Sequence, residues 1–307
     1  MKIKGVEKFR QKLPAFQGRK IGLLLLAALG AVVAAQLVLL SFDRLPLRYP
    51  SGSLTPAAFP LLGHAIVVTA AACGVWQLWF FRDGRKSRYG DVSYQRGVVW
   101  GMCGVAVVLS TMFHPLFPLK ELAQGYWDGS PASFLVERPS KLLGEAGTIL
   151  EWIGLAGGLV LFASGFLLVG RALQTFGIDY MAVVYLYFPE ESEVQESEIY
   201  SALRHPTYGG AIRWSFAAAL IRLTPYSLAL GLLALLFFTI HVKLVEEREL
   251  VRRFGDSYAN YARETPAFFT RPRDLPKLVR FLLGRGKNDK AEPATRTAEK
   301  SKKVTKN

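Results

Sequence analysis

Apolar residues in this chain are gathered into long uncharged runs rather than spread with a helix or strand period. Five runs stand out: Ile21 to Phe42, Leu54 to Phe81, Gly97 to Leu119, Trp152 to Gly170 and Leu223 to Val242. Each lacks Asp, Glu, Lys and Arg and reaches the ~20 residues that carry a helix across ~30 Å of hydrocarbon. A sixth segment, Gly209 to Ile221, spans only if the guanidinium of Arg213 inside it finds a partner, a polar cavity or the interface. The pattern predicts an all-α, polytopic membrane helix bundle of about six transmembrane helices.

Polar sequence brackets these runs unevenly. Residues 1 to 20 hold seven Lys/Arg against Glu7, and residues 284 to 307 hold eight against three acids. Together they produce much of the net charge of +14 on 307 residues. Beside membrane spans, such clusters mark cytoplasmic ends and contacts with anionic lipid headgroups; nucleic acid is not the expected partner. The loop at 82 to 96 is also basic, with Arg82, Arg85, Lys86, Arg88 and Arg96 against Asp83 and Asp91. An amino terminus inside puts this loop inside as well, so both termini are expected to be cytoplasmic, in the plasma membrane. The segment at 120 to 146, with Gly125, Gly129, Pro131 and Pro139, reads as an outer loop.

In residues 1 to 20, Ile3, Val6, Phe9, Leu13 and Phe16 step by three and four between basic residues. Either a surface-lying amphipathic helix or a frayed tail fits this spacing. The following run is too long for a cleaved signal core and reads as a retained first span. Cys73 and Cys103 sit alone in apolar runs, as small buried hydrophobes. His114 precedes Pro115 near the outer end of a run and reads as a helix-ending residue; with no convergent donors beside it, no metal site is expected. Gly97 with Gly101, and Gly154 with Gly158, give flat patches for close helix approach within the bundle or between copies, and the oligomeric state stays open.

The groups able to do chemistry fall in two clusters. The first is Tyr200 to Gly210, including Arg204-His205-Pro206-Thr207-Tyr208-Gly209-Gly210; the second holds Glu246-Glu247, Glu249, Leu250, Phe254-Gly255, Tyr258, Tyr261 and Pro266. Pro206 can open a helix because its missing N–H would be unpaired there anyway, and the free N–H groups of that turn favour an anion. Glu249 and Arg253 lie four apart, suited to an ion pair on one helix face, and Gly255 can end or kink that helix. Apolar sequence separates the clusters. A helical hairpin through a bilayer would bring both to one membrane face.

The order Arg-His-Pro-x-Tyr-x-Gly, then Glu-Glu-x-x-Leu-x-x-x-Phe-Gly-x-x-Tyr-x-x-Tyr-x-x-x-x-Pro about forty residues on, resembles the integral-membrane methyltransferases. That group includes isoprenylcysteine carboxyl methyltransferase and phospholipid N-methyltransferases. Arg204, His205, Pro206, Tyr208 and Gly210 carry the first part; Glu246, Glu247, Leu250, Phe254, Gly255, Tyr258, Tyr261 and Pro266 carry the second. The resemblance covers roughly residues 165 to 272 and implies S-adenosylmethionine as methyl donor and a lipid or amphipathic small molecule as acceptor. It also implies cofactor contacts from His205, Pro206, Tyr208, Gly210, Glu246 and Glu247, with Arg253 or Arg263 orienting the acceptor.

Two departures bear on substrate class: Ser197-Glu198-Ile199 replaces a Gly-rich approach to Tyr200, and Arg213 replaces an apolar residue. Five glutamates between Glu190 and Glu198 precede the first cluster as a solvated loop. The alternatives are a sterol-reductase-like enzyme using a nicotinamide cofactor, from which Thr207 and Ala211 depart, and a non-catalytic transporter or scaffold. The expected division is an interfacial segment at 1 to 20, a four-helix scaffold at 21 to 170, a methyltransferase-like region at 171 to 272 and a basic, disordered tail from 273 to 307.

Overall fold

The computed structural model describes residues 4–44, 55–117, 133–189 and 194–284. The tail beyond 284, Glu190, Glu191 and Glu193, and residues 120–132 of the expected outer loop lie outside the described residues. The α-helices are α1 (Val6–Gln11), α2 (Ile21–Arg44), α3 (Thr55–Phe80), α4 (Arg82–Tyr89), α5 (Ser93–Phe113), α6 (Pro139–Leu143) and α7 (Glu145–Thr175). They continue as α8 (Ile178–Met181), α9 (Pro206–Arg222), α10 (Pro225–His241), α11 (Glu247–Phe254), α12 (Asp256–Glu264) and α13 (Leu275–Leu282). The start of the expected disordered tail is thus helical, because α13 buries Leu278 against Leu168, Ala172 and Leu203. Five of the described helical stretches are long and apolar enough to cross a membrane, matching the five charge-free runs. The fold is an all-α polytopic helix bundle, and the protein is integral to a membrane.

The sixth expected span is α9, 17 residues long and hence about 25 Å. It differs from the other five in being enclosed: Gly209 through Ile212, Trp214, Ser215 and Ala217 through Ala219 are all buried. Arg213 resolves its own difficulty locally. It donates to the Gly209 carbonyl at 2.8 Å and reaches that of Phe268 at 3.5 Å, with its guanidinium carbon 5.9 Å from the Phe269 ring centre.

Lipid removes the hydrophobic drive between spans, so close packing must hold them. Glycine supplies it. A β-carbon on Gly165 would lie 2.6 Å from Trp214 Nε1 and 2.9 Å from the Gly210 carbonyl, while one on Gly210 would lie 2.9 Å from the Gly165 carbonyl. Gly154 and Gly158 meet the Leu220 and Ala217 carbonyls in the same way, so α7 and α9 touch along their backbones. Gly97 and Gly101 instead receive Leu78 of α3.

The chain turns between α9 and α10 in two residues. Leu223 adopts φ 48°, ending α9, and Thr224 caps α10 by a reciprocal pair with Ser227. Pro225 then occupies the first helical position. This is the fold-back that returns the chain to the end of the bundle where α9 began.

The amino-terminal segment is α1 followed by two 3₁₀ turns. It docks on the protein: Leu13 is 1% exposed and packs with Val184 through Phe188, and Lys4 Nζ donates to the Thr175 carbonyl at 2.9 Å. Cys73 is exposed on the outside of the bundle, not buried as expected, because α3 turns that face away from its neighbours. His114 does end α5, but it is fully buried and bonded to Asp43 and Gln36, each at 2.8 Å.

Candidate active site

The two polar clusters meet. Arg204 N donates to the Pro266 carbonyl at 2.9 Å and His205 N to that of Ala267 at 3.1 Å, which ties the start of α9 to the chain beyond α12. Arg204 then reaches inward, with Nε 3.0 Å from Glu247 Oε1 and Nη1 on the carbonyls of Ala262 and Thr265. His205 Nε2 lies 3.3 Å from the same Glu247 oxygen, and its Nδ1 lies 3.7 Å from Glu246 Oε1. The imidazole therefore sits between adjacent carboxylates.

Adjacent glutamates on a regular helix are about 100° apart; here the backbone adds a further adjustment. Val242–Glu246 forms a π turn between α10 and α11, a feature frequent at functional sites. Glu247 goes to Arg204, and Glu246 goes to His205 and His241, whose Nε2 is 3.8 Å from Glu246 Oε2. That Oε2 is buried and makes no hydrogen bond. A buried acceptor without a donor is costly, so the site has room for a donor from a ligand.

These groups close one end of a cavity of about 590 Å³, within the ~300–1,000 Å³ range of small-molecule sites. Its polar end includes Arg204, His205, Tyr208, His241, Glu246 and Tyr258. The remainder is an apolar arm lined by Val98, Met102, Val105 and Leu109 of α5 with Val169 of α7. Burial, then the Glu247 and Glu246 carboxylates, hold the Tyr258 hydroxyl well above the usual tyrosine range. It stays a neutral hydroxyl 3.4 Å from His205 Nε2.

Of the residues expected to hold a cofactor, His205, Tyr208 and Glu246 face the cavity. Glu247 stands behind His205 as its partner, Pro206 opens α9, and Gly210 is occupied with the backbone of α7. The two arginines expected to orient an acceptor are not among the cavity-lining residues. Arg253 is spent on Glu249 at 3.0 Å and on the Tyr185 carbonyl at 2.9 Å, and Arg263 is exposed with its guanidinium on Asn260.

Sequence reading missed His241, Trp76 and Trp79. A histidine in the last turn of an otherwise apolar span, five residues before Glu246, was the available signal. Trp76 Nε1 donates to His241 Nδ1 at 2.9 Å across 165 positions, a pairing that no local pattern discloses.

Residues 153–257 match the family model described as phospholipid methyltransferase. This segment, about a third of the chain, is similar to that family. The chain is also similar, at 27% identity over 111 residues, to Protein-S-isoprenylcysteine O-methyltransferase B of Arabidopsis thaliana. That match covers 36% of this chain and 56% of the relative, so the chain spans little more than half the relative's length. No solved structure matches the chain significantly. The matched segment contains His205, His241, Glu246 and Glu247, whereas Trp76, Trp79 and the apolar arm on α5 lie outside it.

Proposed function

We propose that the protein transfers a methyl group from S-adenosylmethionine to an amphipathic or membrane-soluble acceptor at the cytoplasmic face. The observation that carries this reading is His205 held between Glu246 and Glu247 at the polar end of a cavity that otherwise runs into apolar spans. Family likeness supports methyl transfer rather than a nicotinamide reductase or a transporter.

The residues present fit the cofactor. Glu246 Oε2 wants a donor, which a ribose hydroxyl or an ammonium group supplies. His205, Tyr208 and the first turn of α9 form the adjoining wall. When bound, the cofactor contributes an electrophilic methyl on a sulfonium. The protein's part is to bring an acceptor nucleophile in line with that carbon and to exclude water, so proximity and orientation do most of the work. Glu247 and Arg204 fix His205; the apolar arm receives the hydrophobic part of the acceptor.

The bonded pair Arg82 and Glu249, 2.7 Å apart, puts the basic 82 to 96 loop at the same end as the site. The positive-inside rule then supports a cytoplasmic orientation for both, and with it cytoplasmic termini and a basic tail on anionic lipid of the plasma membrane. Residues 171 to 272 form the catalytic region in this reading, and the earlier spans shape the entrance.

S-adenosylhomocysteine at a hundred times its dissociation constant should stabilise the purified protein by ~2.7 kcal/mol. Membranes incubated with a methyl-labelled donor should yield a labelled lipid or protein fraction that depends on this protein. No thermal shift at saturation together with no labelled product would remove the enzyme reading.

A further inference from the structure

The polar end of the cavity has a satisfied side and an unsatisfied one. On the first, Glu247 Oε1 receives Arg204 Nε, Arg204 Nη2 and His205 Nε2. On the second, Glu246 Oε2 has no donor and Trp79 Nε1 has no acceptor, although both atoms are buried and both residues line the cavity. His241 stands between them. Its ring is 5.6 Å from that of Trp79, edge-on at 88°.

The protonation of His241 follows from its neighbour. An indole N–H can only donate, so the 2.9 Å contact from Trp76 Nε1 makes His241 Nδ1 the acceptor. The two ring planes differ by 13°, an arrangement that allows an in-plane N–H···N bond. A neutral imidazole whose Nδ1 accepts carries its hydrogen on Nε2. That hydrogen faces Tyr208 Oη at 3.2 Å. Tyr208 then accepts from His241 and is left to donate, either to the neighbouring Glu246 carboxylate or to a ligand in the cavity.

We propose that Trp76 and His241 are positioning residues for the methyl acceptor: Trp76 of α3 locks His241 as an Nε2–H donor, and that donor aims the Tyr208 hydroxyl. The inference rests on the methyl-transfer reading of this site and extends it. The acceptor's reacting end, with lone pairs to take hydrogen bonds from Tyr208 and Trp79, lies on the unsatisfied side, and its tail follows the apolar arm. The amino-terminal spans thereby contribute to catalysis from outside the family segment.

The test compares Trp76→Phe, His241→Leu and His241→Gln in the full-length protein, using label transfer from S-adenosylmethionine into isolated membranes and stabilisation by S-adenosylhomocysteine. Trp76→Phe and His241→Leu should lower the initial rate roughly ten- to hundred-fold, the scale of a misaligned reactant, and by a larger factor than they lower the affinity for S-adenosylhomocysteine, whose wall includes Tyr208. His241→Gln, which keeps an N–H near the place of Nε2, should recover most of the rate. A wild-type rate in Trp76→Phe, or equal rates for Gln and Leu, overturns the proposal. Nitrogen-15 NMR of the His241 ring reads the tautomer without any acceptor: Nε2–H in the wild type and a mixture in Trp76→Phe. Identical spectra overturn the lock whether or not methyl transfer is found, whereas absent label and absent stabilisation in the wild type defeat only the functional reading.

Discussion

His114 Nε2 lies 2.8 Å from Asp43 Oδ2, with both side chains withdrawn from the surface at the far ends of α5 and α2. His114 Nδ1 meets Gln36 Oε1 at 2.8 Å, and the ring stands 4.9 Å from that of His64, which Tyr226 Oη approaches at 3.2 Å. Residues from α2, α3, α5 and α10 thus converge on a polar knot at the end of the bundle away from His205. Breaking a buried pair by removing one partner is expensive because the other stays buried. Asp43→Leu should therefore destabilise the protein by on the order of 3 kcal/mol, seen as a lowered melting temperature in detergent. Methyl transfer below the transition should persist, because the cavity end is untouched. An unchanged melting temperature would show that the knot does not hold the spans together.

The contact between α7 and α9 gives a second expectation. Gly165→Val must push against Trp214 and the Gly210 carbonyl, and should cost about 1–3 kcal/mol as overpacking does. Gly30→Ala on α2 meets nothing within 4 Å and serves as the matched control; it should be neutral or slightly stabilising. Equal melting temperatures for the two variants would refute the role assigned to the glycine crossing.

Glu246 and Glu247 should separate binding from stability. Glu247→Gln strips Arg204 and His205 of their shared anion and should lower the stability of the ligand-free protein by roughly 2–3 kcal/mol, the worth of hydrogen bonds to a charge. Glu246→Gln should leave the ligand-free melting temperature close to wild type and reduce stabilisation by S-adenosylhomocysteine. Indistinguishable behaviour of the two variants would count against the division.

Arg204→Lys should not substitute for the arginine. Its guanidinium holds Glu247 through Nε and Nη2 while Nη1 serves two carbonyls, a fork that a single ammonium does not reproduce. Arg263→Ala, by contrast, should leave label transfer within twofold, since that exposed side chain is absent from the cavity lining. Loss of activity in Arg263→Ala would restore the acceptor-orienting role first given to it.

The spans were legible because uncharged length is a property of contiguous sequence: each of the five runs falls on one long helix, α2, α3, α5, α7 or α10, whose ends lie within seven residues of those of the run. The approach of His205 to Glu246 was legible too, since two helices joined by the short turn at Leu223, Thr224 and Pro225 must return to one end. Gly210 fits a ligand wall or a helix contact equally well until its neighbour is known to be Gly165. Trp76 with His241, and Asp43 with His114, depend on the order in which spans pack, which the runs themselves do not encode. The acidic loop around Glu190 keeps only Glu196 and Glu198 within the described residues, where Glu198 accepts from Thr175 Oγ1 at 2.6 Å.

The wide turn at Val242–Glu246 sets the phase between membrane and site. Wound as ordinary α-helix, those five residues would rotate everything that follows by about 100° and advance it about 1.5 Å, carrying the Arg204 partner out of reach. One surplus residue therefore indexes the headgroup-level machinery to the lipid-embedded rod beneath it. Chain length in that short stretch constrains this enzyme-like end as tightly as the identity of either carboxylate.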